Sequence, residues 1–135
     1  MLRSQPAFCA LICGVVVMAR HWRTFRVTVV GASMAPTLAW GDRLLVRARA
    51  PASPGDLVVV VTPGGREAVK RVSGVAGDWI DVAGTPTTLM AGEVGVAGDN
   101  SASSTDSRDF GPLPAGAVRG RVVARYFPRE RITRF

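Results

Sequence analysis

The chain has 135 residues, 47% of them apolar, which is enough for one packed domain and leaves no room for a large second one. Its seventeen basic residues outnumber ten acidic ones, so the net charge is +7. The arginines are scattered singly and lack the interleaved aromatic side chains that stack on bases, so the charge favours an anionic membrane surface over nucleic acid as a partner.

The N-terminal part of the chain contains an uncharged apolar stretch over residues 7–19. It is short for a transmembrane helix, which needs ~20 apolar residues, but extension through Arg20 and Trp22 would lengthen it. No small-residue cleavage site follows it. We therefore predict one N-terminal apolar helix that is retained as a membrane anchor within residues 1–24, followed by a domain over residues 25–135.

The domain is predicted to be mainly β. Its apolar residues fall in short, valine-rich stretches separated by Gly, Pro and Asp turns, and no stretch keeps a helical period. This pattern indicates a compact antiparallel β-barrel or sandwich of short strands, whereas the charged tail over residues 128–135 is expected to be loose. The predicted strands are residues 25–30, 43–47, 57–61, 68–73, 79–82, 93–97 and 118–127.

Ser33 lies in a small-residue turn directly after the first predicted strand. Gly31 and Ala32 keep side-chain bulk away from its approach side, and Pro36 fixes the backbone three residues later. A serine in such a turn is usually turn chemistry alone. The alternative is a hydroxyl held in a fixed place for nucleophilic attack, which requires a base nearby.

Lys70 is the only lysine of the chain and lies in the predicted strand 68–73. Side chains alternate along a strand, so Lys70 shares its face with Ala68 and Val72 and points into an apolar layer. Burial lowers the pKa of a lysine amine, which can then act as a base, whereas arginine stays charged. The only histidine, His21, lies beside the apolar N-terminal stretch, where a headgroup-level or surface position is expected. Lys70 is therefore the candidate base, unless its amine snorkels to the surface.

A polar loop over residues 98–111 separates two predicted strands. One interpretation is a solvated turn. The other is a support for the site, in which a short hydroxyl such as Ser104 holds an amine in one orientation while Asp106 and Arg108 pair and stiffen the loop.

Together, these three stretches resemble the type I signal peptidases, a family of membrane-bound Ser/Lys endopeptidases. Few residues separate the second stretch from the third, so the chain is similar to a minimal, small member. The resemblance spans residues 29–111 and rests on Ser33-Met34-Ala35-Pro36-Thr37-Leu38 with Gly41-Asp42, on Lys70-Arg71-Val72 with Gly74 and Gly77-Asp78, and on Gly98-Asp99-Asn100 with Ser104, Asp106-Ser107-Arg108 and Gly111.

The resemblance implies roles for five side chains. Ser33 would be the acylated nucleophile and Lys70 the general base. Ser104 matches a serine that is hydrogen-bonded to the lysine amine. Asp106 and Arg108 match a structural ion pair.

The resemblance also implies an oxyanion hole in which the backbone N–H of Ser33 is one donor. In some members a serine hydroxyl two residues before the nucleophile is the second donor, and this chain has Gly31 there. Because loss of one donor can lower the rate by ~10²-fold, another group would have to replace it.

The function implied is removal of signal peptides or leader segments from pre-proteins at a membrane surface. Substrates would carry small residues one and three positions before the cut and would bind in extended form beside an enzyme strand. We expect no cofactor and no nucleic acid. We expect no metal either, because the sequence has no clustered set of metal ligands. The expected partners are pre-proteins and membrane lipid.

The expected location is a bacterial cell membrane, with a single N-terminal anchor and the catalytic domain on the extracytoplasmic side. The charge balance opposes this orientation, because more positive residues follow the apolar stretch than precede it. Two alternatives to a general signal peptidase stay open: a dedicated maturation protease for a single partner protein, and a non-catalytic basic β module that binds exported peptides or anionic lipid.

Overall fold

The computed structural model describes residues 23–135, and over this range the chain is mainly β. One short helix, α1 (Ser107–Phe110), and three 3₁₀ turns, Ser101–Ser103, Ala115–Ala117 and Arg129–Arg131, connect the strands. The strands are β1 (Thr24–Thr28), β2 (Arg43–Ala48), β3 (Leu57–Val61), β4 (Glu67–Val75), β5 (Trp79–Val82), β6 (Thr85–Thr88), β7 (Glu93–Ala97), β8 (Leu113–Pro114), β9 (Val118–Phe127) and β10 (Thr133–Arg134).

The main sheet is antiparallel, with the strand order β1-β2-β9-β3-β4-β7-β8, and β10 pairs with β9. Register shifts interrupt the pairing of β2 with β9, of β3 with β9 and of β4 with β7. Such bulges bend strands and increase their twist, so the sheet curls. The hairpin β5-β6 forms a separate two-stranded sheet. The prediction of a mainly β, antiparallel fold is confirmed.

The predicted N-terminal apolar helix falls on residues 1–22, outside the described residues, apart from its last two positions. Of those two, Thr24 already belongs to β1. In the part of the chain that the structure covers, there is no helix of the length and apolar character needed to cross a bilayer.

Strand β3 lies between two apolar clusters, which explains its uninterrupted run of valines. Val59 belongs to a cluster with residues of β1, β2 and the Ser33 turn, whereas Val58 and Val60 belong to a second cluster with residues of β4, β7 and β8. Met34 and Leu38 are almost fully buried in the first cluster. Burial of such side chains stabilises a fold by ~1.5–3 kcal/mol each, so the residues that follow Ser33 are anchored to the core.

The prediction of a loose tail over residues 128–135 is wrong. The tail forms the 3₁₀ turn Arg129–Arg131 and strand β10, in which Thr133 pairs with Arg125 and Arg134 with Ala124. Charged side chains bring it to the body of the domain, because Arg131 Nη1 donates to the buried carboxylate of Asp42 at 3.0 Å. That partner is distant in sequence, so local composition gave no sign of it.

Candidate active site

Ser33 is half-buried in a turn that hydrogen bonds hold from both sides. Within the turn, the N–H of Ala35 donates to the carbonyl of Ala32 at 3.1 Å. From the polar loop, the backbone N–H of Asn100 donates to the carbonyl of Ser33 at 2.9 Å, and its side-chain Nδ2 donates to the carbonyl of Ala32 at 3.1 Å. Gly31 enters the turn with φ +88°, a conformation that disfavours side chains.

Lys70 lies in the middle of β4, and only 3% of its side chain is exposed. Its strand neighbours follow the predicted alternation, since Val72 is buried and Glu67 is exposed. The amine Nζ donates to Ser104 Oγ at 3.0 Å. Burial lowers the pKa of Lys70, partly opposed by the negative charge of Asp106.

Asp106 is fully buried and connects Ser104 to helix α1. Its Oδ2 accepts from Ser104 Oγ at 2.7 Å and from the N–H of Gly98 at 2.9 Å. Its Oδ1 accepts from the N–H of Arg108 at 3.0 Å, which caps α1, and the Arg108 guanidinium pairs with the same carboxylate. Burial alone would raise the pKa of Asp106, but these hydrogen bonds, led by Arg108, outweigh it and hold the pKa well below its usual range.

Gly98 is the point of closest approach between the Ser33 turn and the Ser104 loop. A Cβ placed on Gly98 would lie 2.6 Å from the carbonyl oxygen of Ser33 and even closer to Ser104 Oγ. Only a residue without a side chain fits between these two groups.

Ser33 and Lys70 line the same cavity, of about 450 Å³, together with Ala68, Ser103 and Phe110 among others. Within the described residues, the Lys70 amine makes its hydrogen bond with Ser104 and none with Ser33. Ser33 also borders a smaller cavity of about 160 Å³, whose walls include residues of β1, β3 and β4. The structure thus brings together the two side chains that sequence analysis selected, along with Ser104.

A larger cavity of about 680 Å³ lies elsewhere on the domain, between residues near Arg49, Val75, Gly92 and Ala115. It contains neither Ser33 nor Lys70 nor any of their hydrogen-bond partners. We place the site by its chemistry rather than by cavity size, since the smaller cavities hold the candidate nucleophile and base.

The backbone N–H of Ser33 donates no hydrogen bond to another described residue, so it is free to face a substrate. At Gly31, a Cβ would meet no atom within 4 Å, so the position of the missing hydroxyl is open space. Over residues 23–135, no group of three or more His, Cys, Asp or Glu residues has the geometry to hold a metal ion.

A second ionic group, which was not predicted from the sequence, lies on the opposite face of β4 from Lys70. Arg71 makes a bidentate pair with Asp99, Nε to Oδ1 and Nη2 to Oδ2, both at 2.8 Å. Thr37 Oγ1 donates to the same carboxylate at 2.6 Å. The hydrogen bond and charge of Arg71 lower the pKa of Asp99. The adjacency of Arg71 to Lys70, and of Asp99 to Gly98, was the only signal in the sequence.

The family model described as "Signal peptidase, peptidase S26" matches residues 2–89 and 82–127. The chain therefore belongs to the signal peptidase family, peptidase S26, and it is a peptidase of that membrane-associated class. The resemblance that the three motifs indicated is confirmed.

Curated relatives extend this assignment. The chain is 39% identical to "Mitochondrial inner membrane protease subunit 1" of Schizosaccharomyces pombe, over 80% of this chain and 77% of that protein. It is 34% identical to "Mitochondrial ATP-independent inner membrane protease subunit 1b" of Arabidopsis thaliana, over 90% of this chain and 80% of that protein. It is 36% identical to "Mitochondrial inner membrane protease subunit 1" of Mus musculus, over 73% of this chain and 66% of that protein.

These relatives overturn the expected location. The bacterial cell membrane is wrong, because the similar proteins are named for the mitochondrial inner membrane and point there instead. The motifs gave no warning, since residues that carry out the same chemistry do not distinguish the membranes at which it takes place.

Proposed function

We propose that this chain is a serine endopeptidase that removes leader segments from pre-proteins at the mitochondrial inner membrane, with Ser33 as nucleophile and Lys70 as general base. The single observation that carries the proposal is the burial of the only lysine beside a cavity that Ser33 also lines. A buried lysine without a neutralising carboxylate in direct contact is costly to a fold unless its amine is neutral.

The hydrogen-bond directions around Ser104 support a base role for Lys70. The Ser104 hydrogen is directed to Asp106, so Ser104 can only accept from the amine. A neutral amine has two N–H donors and one lone pair, and the bond to Ser104 uses a donor. The lone pair of Lys70 therefore stays available for the hydroxyl of Ser33.

The proposed reaction follows from these donor and acceptor roles of Ser104 and Lys70. Lys70 accepts the Ser33 proton as Oγ attacks the scissile carbonyl, and the protonated amine donates that proton to the leaving nitrogen. Water repeats the cycle to hydrolyse the acyl-enzyme. The free N–H of Ser33 supplies one donor to the oxyanion, and the open space at Gly31 leaves room for a water or a substrate group as the second.

The substrate would bind along the first half of β4. Residues Glu67 to Val69 pair with β3 on one side, whereas the pairing of β4 with β7 begins only at Arg71. This free edge borders both cavities that contain Ser33, so an extended peptide can add to it as a strand. The cavity of about 160 Å³ has room for a small side chain of the substrate next to the cut.

The remaining expectations concern the membrane. We propose an anchor within residues 1–24, which ends before β1 begins at Thr24, followed by the peptidase domain, with pre-proteins and lipid as partners. The relatives support this arrangement, because their names place them at an inner membrane.

The test compares wild type with Ser33→Ala and Lys70→Arg on a panel of mitochondrial precursors, with products identified by mass spectrometry. We expect both variants to lose cleavage while circular dichroism stays unchanged. Ser101→Ala, an exposed serine of the neighbouring 3₁₀ turn, is the matched control and should cleave normally. Full cleavage by Lys70→Arg would overturn the proposal, because arginine cannot accept the proton.

A further inference from the structure

An ionic cluster around the buried carboxylate of Asp42, which we call the C-terminal clamp, consists of Asp42, Arg125, Arg131 and Thr133. Asp42 is 2% exposed, and its carboxylate accepts from Arg125 Nη1 at 3.1 Å and from Arg131 Nη1 at 3.0 Å. Arg125 is 7% exposed and also donates to the hydroxyl of Thr133 at 2.9 Å and to the carbonyl of Arg131. The cluster thus ties strand β9 and the C-terminal tail to the residue that precedes β2.

The same cluster holds the backbone that leads away from Ser33. Arg125 Nη1 donates to the carbonyl of Thr37 at 2.9 Å, and Asp42 Oδ2 accepts from the N–H of Ala39 at 2.9 Å. The side chain of Thr37 is bound from the other direction by Asp99. The segment between Ser33 and β2 is therefore fixed at its backbone by the clamp and at a side chain by the polar loop.

The clamp extends beyond the part of the chain that defines the family here. The family model ends its match at residue 127, so Arg131 and Thr133 lie outside it. Neither residue borders a cavity that contains Ser33. Any effect of these two residues on catalysis must therefore pass through the segment that they hold.

We infer that the C-terminal clamp is a positioning device for Ser33, with Arg125 and Arg131 as positioning residues. The inference rests on the proposed function, since it assigns Ser33 as the group that must be held. Two guanidinium groups satisfy one buried carboxylate, and without Arg131 the tail loses its ionic contact with Asp42. The segment from Thr37 to Asp42 then opens more often, and Ser33 spends less time aligned with Lys70.

The test uses the full chain and the variant Arg131→Ala. Hydrogen exchange reports on the segment that the clamp holds, because the amides of Leu38 and Gly41 lie in this segment. They donate to the carbonyls of Met34 and Val29, respectively. We expect these amides to exchange at least about tenfold faster, as follows from the loss of one charge-assisted hydrogen bond. The amide of Leu89, in the separate hairpin region, should exchange at the wild-type rate.

Kinetics supply the second readout. We expect Arg131→Ala to lower kcat roughly tenfold with KM within about twofold, because the substrate edge of β4 is untouched. Arg131→Lys should recover part of both effects, since an ammonium can still reach Asp42. Thr133→Val replaces only the hydroxyl, so it should give a smaller increase in the exchange rate of the Leu38 and Gly41 amides. Arg129→Ala is the matched control, because Arg129 is exposed and has no ion pair among residues 23–135.

Two exchange results would overturn the inference: wild-type exchange at Leu38 and Gly41 in Arg131→Ala, or an equal increase at Leu89, which would mean general destabilisation. Wild-type kcat in a variant that shows faster exchange would also overturn it. If the wild-type chain cleaves no precursor, the proposed function fails, whereas the exchange data still decide whether the clamp holds the turn.

Discussion

The amine of Lys70 lies 3.0 Å from the hydroxyl of Ser104, whose own hydrogen is directed to Asp106, 2.7 Å away. This arrangement makes Ser104 an acceptor toward the amine. It therefore orients Lys70 without consuming its lone pair. Lys70 is buried and lines the same cavity as Ser33, which agrees with its proposed role as the base for Ser33.

Removing the Ser104 hydroxyl should release the amine from its orientation. We expect Ser104→Ala to lower kcat by ~10²-fold with little change in KM, because a general base contributes on the order of 10²–10⁴-fold and must point at its proton. Steady-state cleavage of a precursor peptide measures this. Ser101→Ala removes an exposed hydroxyl that lines neither cavity containing Ser33, so it should keep wild-type kcat. Equal activity of the two variants would contradict the role of Ser104.

Changes in the charge pair beside Lys70 should move the pH profile in opposite directions. The negative charge of Asp106 raises the pKa of Lys70, whereas the positive charge of Arg108 lowers it. In the proposed mechanism the neutral amine is the active form, so activity should fall as pH drops through that pKa. Asp106→Asn should shift the acidic limb of kcat/KM to lower pH, and Arg108→Gln should shift it to higher pH.

Both variants should also have a lower kcat/KM. Asp106→Asn removes the buried carboxylate, and Arg108→Gln removes the guanidinium that pairs with it. The sign of the shift is therefore the measurement that matters. Arg129→Gln, which removes a distant exposed charge, should leave the limb in place. Shifts of the same sign in the two site variants would contradict the account.

The contact at Gly98 predicts that one added methyl group disrupts the site. In Gly98→Ala the Cβ would press on the Ser33 carbonyl and on Ser104, and overpacking of this kind costs ~1–3 kcal/mol. We expect cleavage to fall more than tenfold and the melting temperature to drop. Gly116→Ala is the control, because a Cβ there meets nothing within 4 Å and no left-handed φ is involved. Normal cleavage by Gly98→Ala would show that the turn and the loop can separate without consequence.

The lowered pKa of Lys70 also links stability to pH. Between that lowered pKa and 10.5, the ordinary pKa of a lysine, the unfolded chain binds more protons than the folded chain. The free energy of unfolding therefore rises with pH through this window. Lys70→Met removes the effect, so the stability of the variant relative to wild type should be greatest at neutral pH and should decline toward pH ~10. Urea denaturation over that range measures it, and a constant difference would argue against a depressed pKa.

The strands and the face of Lys70 could be predicted because both depend on local pattern. Valine-rich stretches between Gly, Pro and Asp turns gave seven strands close to their observed bounds, and alternation along β4 placed Lys70 inside. Strand β6 was missed because Thr85–Thr88 is polar and contains Pro86. Helix α1 was missed because four residues are too few to show a helical period.

The contacts that hold the site could not be predicted, because their partners are far apart in the sequence. Thr37 and Asp99 are 62 residues apart, and Asp42 and Arg131 are 89 residues apart. Composition made residues 128–135 look like a free charged tail, whereas the fold supplies a buried carboxylate for Arg131. The site residues themselves were selected by residue type and motif, which do not reveal such distances.

The most direct measurement is the titration of the Lys70 amine itself. The chain contains a single lysine, so labelling with ¹⁵N-lysine gives one Nζ resonance to follow by NMR. We predict that this resonance titrates with a midpoint below 10.5, and that the midpoint moves lower still in Asp106→Asn. A midpoint at or above 10.5 would leave Ser33 without a base and would contradict the central claim.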